Sequence, residues 1–451
     1  MENLYKNLFA CSNAILTSLK TNEVPVEILR PKLIRNDQEV LSGDYDFIMS
    51  EEGFNEVLSI IYKHCKKNGL HFILNQKKPF KKVFSLFVDE SSSCITYEFW
   101  PHIEFSLSNS SFKTAYISSK ALLNSTAYRY NKAVVMTCIF ITHLYYKSKD
   151  IGSAENRYRY AWYRSKLTHN NPINQRAKKI LDGLFSGTQS KKQSNEKALL
   201  LLDELKITSS WPGGYRFKKL RYRTARRLRI TTHKVIPMIG PDGVGKGSIQ
   251  DYAFKQIKES HSPYRFKDLY RKKRAYRYIL KFYKRSNQNP RNRIDEKVVH
   301  YIFWMSLFAF SGLDTNTRKY LLMDRYFTDY LATPLRFVES ACPPEIIKFY
   351  SLYLYLIPTP QMLVWLGCKD ESLIERKNEL ALISVRKLEQ IYTDFICKKV
   401  IPLTLFLSTE QPQEVTSQIL VKKLTLQGTK VQKKSTSYSP RDTETLSNKG
   451  A

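Results

Sequence analysis

Val235-Ile-Pro-Met-Ile-Gly240-Pro-Asp-Gly-Val-Gly245-Lys-Gly-Ser-Ile-Gln250 is the stretch that decides the fold. Val235 to Ile239 is short, apolar and partly β-branched, as a strand buried on both faces requires. Gly240, Gly243 and Gly245 follow, then Lys246, Gly247 and Ser248, and the chain beyond is compatible with a helix. Strand, glycine-rich turn and helix together point successive backbone N–H groups at one phosphate. The lysine reaches the β- and γ-phosphates, and the helix N-terminus adds partial positive charge. Gly240, Asp242, Gly243, Val244, Gly245, Lys246, Gly247 and Ser248 are therefore the expected contacts to ATP. The usual pattern closes on a Ser or Thr whose hydroxyl binds Mg²⁺. Gly247 holds that place and Ser248 comes one later, so Mg²⁺ is expected to depend on water and on more distant carboxylates.

Downstream, Lys319 to Met323 reads as a buried strand ending in Asp324 and Arg325. A carboxylate at the end of an apolar strand can orient Mg²⁺ beside the loop, and an adjacent arginine can clamp a transferring phosphate. Met362 to Leu366 is a further strand, and the charged segment after it carries Arg376 and Lys377, placed to close over phosphates as a lid. Ile401 to Leu407 is the last strand and Val415 to Leu424 the last helix. Strands near 235, 320, 362 and 401 with helices between them predict an α/β domain built on a parallel sheet. Lys246, Asp324, Arg325 and Arg376 are its expected catalytic residues, with Asp324 also a metal ligand.

Towards the N-terminus, residues 1 to about 25 have helical periodicity, and Val26 to Leu29 starts a strand pattern. Asp44 and Asp46, one residue apart on a predicted strand, share a face. Glu98, on the strand Ile95 to Phe99, supplies a third carboxylate, with Glu104 the alternative. This set would hold a divalent ion for nucleotidyl transfer, although Asp44 and Asp46 read equally as turn and strand-edge residues. Residues 118 to 205 are helical in pattern, Ser186 to Glu196 reads as a polar loop, and Trp211-Pro-Gly-Gly214 marks a boundary. The expected organisation is an α+β domain over 1–115, a helical middle and basic linker over 116–225, the phosphate-loop domain over 226–427 and a disordered tail over 428–451.

A net charge of +32 asks for an anionic partner, and it concentrates in Arg216 to Arg229 and Lys267 to Arg285. Aromatics interleave with Lys and Arg there, which suits an anionic membrane surface, nucleic-acid phosphates or a solvated basic face. Charge alone does not choose among them, and nucleic acid is the least expected. Seven scattered cysteines without a C-x-x-C pair predict a reducing compartment and no structural zinc. The N-terminus lacks the features of a secretion signal and no apolar run reaches the ~20 residues of a membrane span. A cytoplasmic protein, peripheral to the inner membrane face, is expected.

The loop's Gly-Lys-Gly followed by a hydroxyl residue resembles the adenylate kinase variant of the motif. Three segments in order, GPDGVGKGS, MDRYFTDYLATPLRF and MLVWLGCKDESLIERKNEL, resemble the thymidylate kinase-like P-loop proteins. More narrowly, the chain is similar to the bacterial group linked to surface-polysaccharide genes, with a nucleotidyltransferase-like N-terminal segment and a helical middle. The resemblance spans residues 26 to 425 and implies a nucleoside monophosphate kinase-like fold with ATP and Mg²⁺ as cofactors. By that match Gly240 to Ser248 bind ATP, Asp324 and Arg325 meet the substrate phosphates, Arg376 and Lys377 form the lid, and Asp44 and Asp46 are the N-terminal acidic pair. Gly247 and the chain's length and basicity depart from a dedicated thymidylate kinase. The acceptor is accordingly left as a nucleotide, sugar or glycolipid, and a homodimer is among the expected assemblies. Nucleotidyl transfer at the N-terminal carboxylates, or nucleotide binding without turnover, are the alternatives.

Overall fold

The structure is a computed structural model. It describes residues 2–22, 24, 26–29, 44–49, 53–78, 81–89, 94–106, 114–118, 126–168, 171–206, 209–211, 231–232, 235–257, 261–264, 320–324, 326, 328, 359–376 and 382–435. The basic runs 216–229 and 267–285 lie outside them.

In chain order the elements are α1 (Glu2–Thr21), β1 (Val26–Ile28), β2 (Asp44–Met49), α2 (Phe54–Asn68), β3 (His71–Lys78), β4 (Lys81–Phe87), β5 (Ile95–Trp100), β6 (His102–Ser106) and β7 (Thr114–Ser118). Four helices follow, α3 (Thr126–Tyr146), α4 (Ala154–Lys166), α5 (Pro172–Phe185) and α6 (Lys191–Glu204), then β8 (Ser209–Trp211) and β9 (Thr231–Thr232). The last part comprises β10 (Val235–Ile239), α7 (Lys246–Ile257), β11 (His261–Tyr264), β12 (Tyr320–Met323), β13 (Thr359–Pro360), β14 (Met362–Gly367), α8 (Asp370–Arg376), α9 (Leu382–Lys399), β15 (Leu403–Ser408) and α10 (Gln413–Ser435).

Ten strands form one sheet in the order β1-β2-β5-β4-β3-β15-β14-β10-β12-β11. The five from β15 to β11 are all parallel, as expected from their apolar runs. β14 and β15 are buried at every position, because helices cover both faces. Alternation sorts their side chains. Leu363 and Trp365 point into one core, Met362, Val364 and Leu366 into the other. On the N-terminal side β2 and β5 are parallel, while β5, β4 and β3 form an antiparallel meander.

β3 pairs antiparallel with β15, Phe72 to Asn75 against Phe406 to Leu403, so the two halves share one sheet. One core runs the length of that sheet, joining α1 and α2 to residues of β10, β14 and α9. A second lies under α7 and α10. The helical unit α3 to α6 has its own, which takes Leu29 and Ile48 from the sheet region.

Two expectations are corrected. The stretch Ser186 to Glu196 is only in part a loop, since α6 begins at Lys191. Ser190 caps it by accepting from Gln193 N–H while the Gln193 side chain accepts from Ser190 N–H, a reciprocal capping box. The last helix runs to Ser435, past the point where the polar tail was expected to begin. Beyond Gly428 this end carries Lys430, Gln432, Lys433 and Lys434, straight-chain residues with good helix propensity. Among the described residues no helix is long and apolar enough to cross a membrane.

Candidate functional site

In the parallel half of the sheet, β10 lies between β12 and β14. The chain leaves β10 toward β11 and β12 on one side, then crosses to β14 and β15 on the other. Such a reversal leaves a crevice outside the carboxyl end of the central strand, where open α/β sheets bind ligands. The glycine-rich loop occupies that position.

Gly240, Gly243 and Gly245 have φ of +151°, +88° and +91°, values that L side chains rarely adopt. Gly240 is also constrained by space, because a Cβ there would lie 2.6 Å from Leu366 O of β14. Around Gly247 nothing lies within 4 Å of such a carbon. α7 starts at Lys246, with Ile249 N–H bonded to Gly245 O at 3.0 Å, which leaves the first N–H groups of the helix for an anion.

Lys246 is 8% exposed. Its ammonium donates to Gly240 O at 2.5 Å and Pro241 O at 2.9 Å and lies 3.5 Å from Asp242 Oδ1. A buried ammonium needs such partners, and here they hold it at the mouth of the loop. Gly240 O also accepts from Tyr392 O–H of α9 at 3.2 Å. Gln250 of α7 donates to Leu322 O of β12 at 2.6 Å, and Gln413 at the start of α10 donates to Ser248 O at 2.9 Å. Tyr392, Gln250 and Gln413 are supports that sequence reading missed, and no motif marks them.

Pro237 pairs with Met323 across β10 and β12, so Asp324 leaves its strand level with Met238, just below the loop. Its backbone is therefore level with β10 two residues before Gly240. Arg325 lies outside the described residues, as do 377–380 of the expected lid. Arg376 ends α8, and its guanidinium donates to Thr409 Oγ1 at 3.2 Å and Thr409 O at 3.0 Å. Thr409 follows β15, so this arginine is fixed at the same carboxyl edge of the sheet.

The N-terminal carboxylates are partly assembled. Asp46 pairs with Glu98 across the parallel strands β2 and β5, and Asp44 with Thr96, which puts Asp46 and Glu98 on one face. Asp46 is 3% exposed and accepts from Trp100 Nε1 at 3.3 Å. Glu98 forms an ion pair with Lys81, whose ammonium also sits 4.8 Å over the Trp100 ring. Glu104 lies on β6, in a separate three-stranded sheet.

The loop fits the phosphates of a nucleotide: its glycines turn N–H groups inward, and a Cβ at Gly240 would collide with β14. Among the described residues no group of three or more His, Cys, Asp or Glu could hold a metal. Mg²⁺ beside a phosphate takes one or two carboxylates and fills its shell with water and phosphate oxygens, a demand that Asp324 at the loop suits. Six cysteines are free among the described residues.

No family model matches the sequence, and no curated protein matches it. Among solved structures the chain is similar to deoxyadenosine kinase from M. mycoides. The identity is 13%, the match covers 43% of this chain and 98% of that one, and the TM-score is 0.29.

Proposed function

We propose that this chain is an ATP-dependent P-loop phosphotransferase acting on a nucleotide, sugar or glycolipid. The observation that carries the reading is Lys246, buried at the start of α7 on a loop of three positive-φ glycines, at the point where the strand order reverses. Loop N–H groups and the α7 N-terminus hold the β- and γ-phosphates. Lys246 turns from Gly240 O and Pro241 O to the phosphate oxygens, while Tyr392 remains bonded to Gly240 O. Asp324 would hold Mg²⁺, which would supply neutralisation of the charge that develops on the transferring phosphoryl.

Such transfer is mostly positioning and electrostatics. Incubation with labelled ATP and fractionated cell extract identifies the acceptor. Lys246→Ala is expected to lower turnover roughly 100-fold or more at similar thermal stability. Wild-type turnover in that variant removes the loop from the mechanism, and ATP binding without turnover in the parent chain supports a scaffold role instead.

A second reading, nucleotidyl transfer at Asp46 and Glu98, is supported by their opposed register on β2 and β5. It expects pyrophosphate release from a nucleoside triphosphate that Asp46→Asn abolishes while γ-phosphoryl transfer persists. Wild-type protein that releases no pyrophosphate rules this reading out.

A further inference from the structure

A cleft of about 1170 Å³ opens between α4 and α5, and none of the phosphate-loop residues line it. Arg157, Tyr160 and Arg164 line it from α4, and Lys178, Lys179 and Asp182 from α5. In α4 spacings of three and four residues place the trio on one helical face, and in α5 Lys178 and Lys179 stand four and three residues before Asp182. The one acidic side chain among the lining residues is already engaged: Asp182 Oδ1 accepts from Tyr160 O–H and from Arg164 Nε, both at 2.9 Å. Other arginines of the helical unit also have carboxylates, Arg159 with Glu155 and Arg176 with Glu204. Arg157, Lys178 and Lys179 form no ion pair among the described residues, and all three face the cleft.

The end of the cleft is built rather than loose. Ser186 Oγ, Thr188 Oγ1 and Gln189 N–H all donate to Gly183 O, at 3.4, 3.3 and 2.9 Å. A Cβ at Gly183 would meet Gln189 Nε2 at 2.6 Å, so the turn packs tightly onto α5. A preformed cleft binds without first paying to order its walls.

We propose that the α4–α5 cleft is a binding site for a ligand carrying two or more phosphate groups, held by Arg157, Lys178 and Lys179. Three cations around one concavity repel one another until an anion seats among them. An arginine fork matches phosphate geometry, and lysines add point charge. The cleft exceeds the roughly 300–1,000 Å³ of an ordinary small-molecule site, so a single phosphate would leave much of it unfilled. The site is independent of the phosphate loop and of the reading proposed for it.

The test is calorimetric titration of tripolyphosphate into the full chain carrying Lys246→Ala, which removes the loop's main cation. One tripolyphosphate is expected to bind, more weakly as salt rises. Adding Arg157→Gln, Lys178→Gln and Lys179→Gln, surface changes that leave circular dichroism unchanged, is expected to weaken it on the order of tenfold or more. Inositol trisphosphate and vesicles containing phosphatidylinositol bisphosphate then separate the sources. Binding of the soluble compound alone assigns a free phosphorylated ligand, and binding of both assigns a lipid headgroup. Failure of the Lys246→Ala chain to bind any of these probes, or equal binding with and without the three glutamines, overturns the proposal.

Discussion

Gly240 and Gly247 look alike in the motif and differ in the structure. At Gly240 a methyl group would meet a backbone carbonyl at 2.6 Å, at a φ of +151°. Backbone cannot swing aside as a side chain can, so Gly240→Ala should cost roughly 2 kcal/mol or more and deform the phosphate cradle with it. Gly247 is exposed, with open space where a Cβ would go. Gly247→Ser should therefore change stability by less than about 0.5 kcal/mol and keep nucleotide binding, since it adds the hydroxyl that the usual motif has there. Thermal unfolding and ATP titration of both variants check this. Equal losses in the two would mean that the loop's geometry is not what holds the nucleotide.

At the scale of elements, the seam between β3 and β15 sets a pH dependence. His71, fully buried at the start of β3, accepts from the backbone N–H of Ser408 at 3.0 Å through Nδ1, which requires a neutral ring. Burial lowers its pKa from 6.5 to about 4. Between those values the unfolded chain binds the extra proton and the folded chain does not, so stability rises with pH across that window. The contribution is complete above pH 6.5 and is lost on acidification toward pH 4, reaching about 3 kcal/mol. Urea midpoints between pH 4 and 7.5 should show this slope, and His71→Gln should flatten it. A variant as steep as the parent would assign the slope to other groups. This seam was not legible in the sequence, because Ser408 and His71 are 337 residues apart and no local pattern encodes so distant a register. Strands buried on both faces were legible, since their apolar runs survive without a partner being known. The cap of α6 was legible and went unread: Ser190 and Gln193 have capping-box spacing within a stretch whose polarity suggested a loop. Asp46 and Glu98 were readable as candidates, but their opposed register depends on a parallel pairing that only the fold supplies.

The whole molecule is held together by contacts that cross from one half to the other. Lys66 of α2 forms ion pairs with Asp370 and, at 2.6 Å, with Glu389. Burial alone would lower its pKa, and the two carboxylates outweigh that and raise it. Tyr62 stacks on Trp365 of β14 at 4.1 Å, donates to Glu389, and is pushed well above the usual tyrosine range by burial and by that carboxylate. Asn55 donates to Asp394 at 3.0 Å. Separating the halves would break these ion pairs and the Tyr62–Trp365 stack and expose the unpaired edges of β3 and β15. Chains of this length commonly unfold in parts, but here the boundary runs through a shared sheet and a shared core. Amides of β5 and β14 are therefore expected to exchange through one opening of equal free energy. Those of α3 to α6, with a core of their own, should open separately. Lys66→Ala, which leaves two carboxylates without their cation, should lower the opening free energy of both strands by about 3 kcal/mol and leave the helical unit unchanged. Native-state hydrogen exchange measures all three regions at once. If the variant lowers protection in β14 while β5 keeps its own, the halves are separate cooperative units and the seam does not couple them.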